Sequence, residues 1–166
     1  MSDAVDRMVA AWGQVDPDLD IWPTQVFERL KRLGRLLDRE MKDFFAPYGL
    51  ESWEFEVLAT LRRSGDTDGL TAGALIKAAL VTSGAITHRI DRLAAKGLVR
   101  RAADPADRRT IRIQLTDEGR ELVDTLMPAR IADQIRILGG VDRPDLDRLN
   151  GLLRGLLESL GDTDPD

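Results

Sequence analysis

Hydrophobic residues along most of the chain recur at intervals of three and four, the spacing that gathers them on one side of an α-helix. Val5, Met8, Val9 and Trp12 mark a short first helical segment, closed by the breaker-rich VDPDLDIWP. A long helix is expected from about Thr24 to Phe45, with Val26, Leu30, Leu33, Leu37, Met41 and Phe44 on one stripe, stopping near Pro47 and Gly49. The next, from about Glu51 to Arg63, carries Val57, Leu58 and Leu61 and ends in the polar loop SGDTDG. Leu70 to Val81 and Ser83 to Lys96 then read as two helices joined by a tight turn. Thr71 can cap the first and Thr82 or Ser83 the second by accepting a backbone N–H. In the second, Ile86, Ile90 and Leu93 define the buried face, and Gly97 suits a left-handed helix end.

The period then changes. Ile111, Ile113 and Leu115 alternate with Arg112 and Gln114, the two-residue repeat of a half-buried strand. Leu98 and Val99 open a second run, and Asp104-Pro105 supplies turn chemistry, so Leu98 to Thr116 reads as a hairpin with a loop of about six residues. Its tip carries Arg108 and Arg109. Alone, such a hairpin is equally a plain surface loop with solvated arginines and a DNA-contacting wing.

Helical spacing returns at Thr116, whose hydroxyl can cap a helix through Leu122, Val123 and Leu126, with a kink expected at Pro128. After Gly139-Gly140, Leu146, Leu149, Leu153, Leu156 and Leu160 step by three and four, a coiled-coil-like seam. Core packing within one chain would also account for that seam. Two seams on either side of the central helices and hairpin favour a dimer; where the hairpin is a wing, such a dimer places two recognition helices about one DNA turn apart. The expected organisation is an N-terminal helical extension over 1–20 and one domain over 21–166. Within it, 24–45 and 120–162 serve dimerisation and 51–115 forms the DNA-binding part.

Composition narrows the class. The chain has 166 residues, no cysteine and a single histidine, His88, which removes disulfides, thiolate metal sites and histidine clusters from consideration. No apolar run approaches a membrane span and no charged-then-apolar leader is evident, so a cytoplasmic protein without membrane partners is expected. No glycine-rich phosphate loop or histidine-paired nucleophile is seen, which argues against an enzyme, and no cofactor is implied. The net charge of −5 is unevenly spread. From Thr82 to Arg112 eight basic residues face three acidic ones, giving +5 and leaving −10 for the remainder. A basic window on an acidic body is the footprint of a protein that meets phosphates with one surface.

Ser83, Thr87, His88 and Arg92 are the side chains the second central helix could offer to base edges. Glu54 falls on the same face as Leu58 and Leu61, directing a carboxylate toward the core, where it needs a partner. Arg89, on the flank of its helix, is the expected partner. The pair reads either as an ion pair joining two helices or as part of a ligand site.

The order of elements, and the segment Thr82 to Leu122 above all, resembles the MarR family of bacterial transcription regulators. The carrying motifs are LAAKGLV at Leu93 to Val99, DPADRR at Asp104 to Arg109 and LTDEG at Leu115 to Gly119. The resemblance implies a mainly α winged helix-turn-helix with a small β-hairpin wing. It also implies a homodimer on a pseudopalindromic DNA operator, usually a repressor, with the wing arginines in a minor groove whose narrowness concentrates negative potential. It further implies that a wing aspartate, here Asp107, orients Arg108 or Arg109.

A narrower resemblance is to the urate-responsive, PecS- and HucR-like branch. There a tryptophan, an aspartate and two arginines line the effector site, positions matched here by Trp12, Glu54, Arg89 and Arg101. Glutamate in place of aspartate advances the carboxylate, which widens the expected effector to a small anion: urate, another purine or an organic acid. A dimeric protein-interaction module without DNA binding is the alternative, opposed by the retained wing arginines.

Overall fold

The computed structural model describes residues 2–65, 68–79 and 86–163. Its helices are α1 (Ala4–Val15), α2 (Trp22–Phe45), a 3-10 turn (Ala46–Tyr48), α3 (Ser52–Arg63), α4 (Ala72–Ala79), α5 (Ile86–Ala95), α6 (Asp117–Leu138) and α7 (Arg143–Ser159). The strands are β1 (Leu70–Thr71), β2 (Val99–Ala103) and β3 (Ile111–Leu115). Residues 80–85, on which the expected tight turn, Ser83 and the expected Thr82 or Ser83 cap fall, lie outside the described residues. Contacts divide the chain into two units, 1–119 and 120–166.

In the first unit, α1 starts at a reciprocal cap. The Asp3 carboxylate accepts the N–H groups of Val5 and Asp6 at 2.8 and 2.9 Å, and the Asp6 carboxylate accepts the Asp3 N–H at 2.9 Å. Arg29 of α2 then donates to both carboxylates, Nε to Asp3 at 2.9 Å and Nη2 to Asp6 at 2.6 Å, tying α1 to α2. Of the expected α1 stripe only Val5 is fully buried, while Trp12 is 47% exposed. On α2 the buried residue is Phe45, not Phe44, because Phe45 packs on Phe55 of α3 with ring centroids 4.8 Å apart. Leu30, Leu37, Met41 and Phe44 are half-buried, and Val26 and Leu33 are exposed.

The core of this unit gathers Phe45, Leu50, Phe55, Val57, Leu58, Leu75, Ile86, Ile90, Leu93, Val99 and Ile113. The three α5 residues among them are those expected from spacing. Two expectations are corrected at the sheet. Leu70 and Thr71 do not open a helix but form β1, pairing antiparallel with β3 at Leu70↔Ile113 and Thr71↔Arg112, so the hairpin becomes a three-stranded sheet ordered β1-β3-β2. The cause is β3's second edge, whose backbone groups take a partner as soon as one is within reach. Thr71 still caps α4, accepting the Ala74 N–H at 3.2 Å. Ile111, expected on the buried face with Ile113, is exposed, since it pairs with Ala103 at the loop end of the hairpin.

α5 ends as expected, with Gly97 at φ +73° and the Leu98 N–H reaching back to the Leu93 carbonyl at 3.0 Å. Thr116 caps α6, its hydroxyl accepting the Gly119 N–H at 3.0 Å and donating to the Gly97 carbonyl at 2.7 Å. The start of α6 thus lies on the end of α5, and the approach is close. A Cβ on Gly119 would stand 2.0 Å from the Leu98 carbonyl oxygen, which gives the glycine of LTDEG its physical reason. α6 continues through Pro128 as one helix into the second unit. There α7 begins at Asp142, whose carboxylate accepts the Asp145 N–H at 3.1 Å.

The Gly119→Ala variant is expected to be less stable by about 1–3 kcal/mol, the range for inserting a methyl into filled space. Thermal denaturation followed by circular dichroism checks this, and an unchanged melting temperature contradicts it.

Candidate nucleic-acid interface

Three apolar contacts set the inner face of α5, so its remaining positions face outward. Thr87, His88, Asp91 and Arg92 are exposed and Arg89 is half-buried. Ser83 lies outside the described residues. Thr87 and His88 therefore stand on the accessible side near the start of the described part of the helix.

The wing is built around two aspartates. Asp104, nearly buried, accepts the N–H groups of Ala106 and Asp107 at 2.7 and 3.2 Å on one oxygen and Arg112 Nε at 2.5 Å on the other. Arg112 also donates to the Gly69 carbonyl at 2.8 Å, joining the wing loop to the approach to β1. The Arg112 guanidinium first, and the loop amides after it, hold the Asp104 carboxyl below the usual aspartate range. Asp107 accepts the Arg109 N–H at 3.0 Å and the Thr110 hydroxyl at 3.1 Å. The expected contact of Asp107 with an arginine of the tip is thus made to the Arg109 backbone, and the carboxylate–guanidinium pair of the wing is Asp104–Arg112. Arg108 and Arg109 project at the exposed tip and, among the described residues, join no ion pair.

A second cluster lies where α5 meets the start of α3. Glu54 is 0% exposed, as its position on the core face implies. Its expected partner is corrected. Oε2 accepts Lys96 Nζ at 2.5 Å, Arg92 Nη2 lies 3.6 Å from Oε1, and Arg89 makes neither contact. The Arg89 and Arg92 guanidiniums each stand 5.1 Å from the centroid of the Trp53 ring, where the face of the indole attracts a cation. Glu54 Oε1 and Arg89 Nη1 are buried without a hydrogen bond among the described residues. Lys96 is one of the eight basic residues of the window from Thr82 to Arg112, so composition groups it with the phosphate-facing charges. The signal was its spacing, since seven residues are nearly two helical turns and place it on the flank of Arg89.

Arg101, at the base of the wing, pairs with Asp91 of α5 at 2.6 Å. Trp12 lines a shallow apolar depression of about 220 Å³ with Met8, Ala11 and Val15, all on α1, and none of Glu54, Arg89 or Arg101 lines it. Of the four expected effector residues, Arg89 lies against Trp53 while Glu54 pairs with Lys96 and Arg92, and Arg101 joins α5 through Asp91.

An α5 with an outward polar face, followed by a buttressed hairpin with two arginines at its tip, defines a winged helix-turn-helix DNA-binding protein. The MarR family model matches residues 48–110, and the chain is 34% identical over 149 residues to the transcriptional regulator PecS of Dickeya dadantii, covering 90% of each chain. The chain belongs to the MarR family and is a transcription regulator of that family.

Solved structures agree. AbsC of Streptomyces coelicolor, a MarR family transcriptional regulator, superposes with a TM-score of 0.76 at 25% identity, covering 87% of this chain and 98% of that one. BpsR of Bordetella bronchiseptica, whose DNA binding is regulated by 6-hydroxynicotinic acid, gives 0.73 at 26% identity over 83% and 96%. No described helix is long and apolar enough to cross a membrane.

The lowered Asp104 pKa links the wing to pH with a definite sign. Its contribution to stability is complete above the unfolded aspartate value of about 3.9 and is lost as pH falls through the lower folded value. Amide exchange at Ala106 and Asp107 is therefore expected to stay protected from neutral pH to about pH 4 and to lose protection below it. Protection lost well above that range contradicts the assignment.

Proposed function

We propose that this protein is a ligand-responsive repressor that binds a pseudopalindromic operator as a homodimer and is released by a small anionic effector. The observation that carries the reading is the ordered wing. Asp104 and Asp107 fix the loop while Arg108 and Arg109 stay exposed for the minor groove. Ser83, Thr87, His88 and Arg92 supply the major-groove contacts, the last drawn from its place on Trp53.

Exposed apolar side chains support the homodimer. Val26 of α2 is 52% exposed and Leu149 of α7 42%, on the stripes whose spacing assigned these helices to dimerisation. Residues 1–20 act as an extension of the 21–166 domain, with 51–115 as its DNA-binding part.

The effector site comprises Glu54, Arg89 and Arg101, with Trp12 contributed by α1. A planar anion such as urate, a related purine or an organic acid would recruit Arg101 from Asp91 and Arg89 from Trp53 through bidentate contacts. Both partners lie on or against α5, so ligand and operator favour different placements of one helix. Affinity for DNA then falls by the ligand's differential affinity for the two states. The 6-hydroxynicotinic acid response of BpsR supports this class of ligand.

Gel-shift titrations at matched salt, with and without urate or 6-hydroxynicotinic acid, test the reading. Arg109→Ala is expected to weaken operator binding by about 1–3 kcal/mol while leaving the ligand response intact. Arg89→Ala is expected to do the reverse. Equal loss of operator binding in both variants contradicts a separate effector role for Arg89.

A further inference from the structure

Lys96 belongs to the basic window, yet its ammonium faces inward. Besides Glu54 Oε2 at 2.5 Å, Nζ donates to the Gly49 carbonyl at 2.8 Å. The same Oε2 accepts the Glu51 N–H at 2.8 Å. One buried oxygen thus joins the end of α5 to the start of α3, and the lysine extends the tie to the glycine that closes the 3-10 turn.

The other hold on α5 is apolar. Ile86, Ile90 and Leu93 determine how deeply the helix sits, but apolar contact is non-directional and resists rotation weakly. Hydrogen bonds do resist it. A ten-residue helix is about 15 Å long, so a pivot of about 10° at its far end carries its start through about 2–3 Å. Contacts to base edges tolerate far less.

We propose that Lys96 and Glu54 are positioning residues for DNA recognition, their pair fixing the rotation and tilt of α5 without Lys96 touching DNA. Arg92 Nη2 stands 3.6 Å from the other carboxylate oxygen. The proposal rests on α5 as the DNA-reading helix, which titration of the wild-type protein tests separately.

The test uses the full-length protein on a duplex it selects from random sequence and on a random-sequence duplex, each over a range of salt. Lys96→Met is expected to weaken the selected complex by about tenfold. Random-sequence affinity and the salt slope should not change, because no phosphate contact is lost. Lys96→Arg, keeping the cation, should restore binding. Lys96→Met strands a buried carboxylate, so the double variant Glu54→Gln/Lys96→Met is measured too: it is expected to recover the melting temperature but not the selected affinity. A salt slope reduced by about one on both duplexes would make Lys96 a phosphate contact and overturn the proposal. Recovery of selected affinity along with stability in the double variant would overturn it as well.

Discussion

A carboxylate removed from water must be compensated where it lies, and in the first unit that constraint decides how α5 is mounted. Taking an ion out of water costs several kcal/mol even after relaxation, and a partner offsets it only in good geometry. Glu54 meets the condition with two donors on one oxygen, a guanidinium near the other, and a place in the first turn of α3, where the helix dipole favours negative charge. Arg89 and Arg92 of α5 lie against Trp53, and Arg92 and Lys96, just past the helix end, approach Glu54. α5 is therefore registered against α3 by charge, and seated by Ile86, Ile90 and Leu93.

The wing repeats this logic at smaller scale. β3 is the central strand, and Arg112 within it reaches Asp104 of the loop on one side and the Gly69 carbonyl before β1 on the other. Gly69 itself, at φ +80°, lies so close to β3 that a Cβ would meet the Ile113 carbonyl oxygen at 2.1 Å. The loop is thus fastened through its first residue, and its tip is left to present arginines. The Arg101–Asp91 pair joins the base of the wing to α5, so helix and hairpin are coupled on the side away from the tip.

Much of this was legible in the sequence because periodic patterns report burial directly. Ile86, Ile90 and Leu93, the Thr116 cap and the left-handed Gly97 follow from spacing and local chemistry, and so does the burial of Glu54. What escaped were features with no period. A two-residue strand such as β1 is too short to alternate, and it exists only because β3 offers an edge. The choice of Phe45 over Phe44 depends on Phe55, a partner ten residues away across a turn. The partner of Glu54 turned on how far a side chain reaches from the flank of a helix: Arg89 and Lys96 are equivalent by angle, and only the end of α5 faces both Gly49 and Glu54. Gly119 was visible as part of a motif, but the Leu98 carbonyl that demands it was not.

The same pairings alter what the basic window means. Its eight cations suggest a broad phosphate-binding face, yet Lys96, Arg101 and Arg112 are held in ion pairs within the protein, Arg89 and Arg92 lie against Trp53, and Arg100 donates to Gln114. Among these eight, Arg108 and Arg109 are left exposed without an ion pair or ring contact among the described residues, on a body that is otherwise acidic. Non-specific affinity grows with the number of phosphates neutralised, so internal pairing lowers it. Contacts that need a particular groove width at the wing tip are untouched. On the proposed reading, charge paired within the protein raises the ratio of specific to non-specific binding while fixing the geometry on which specific binding depends.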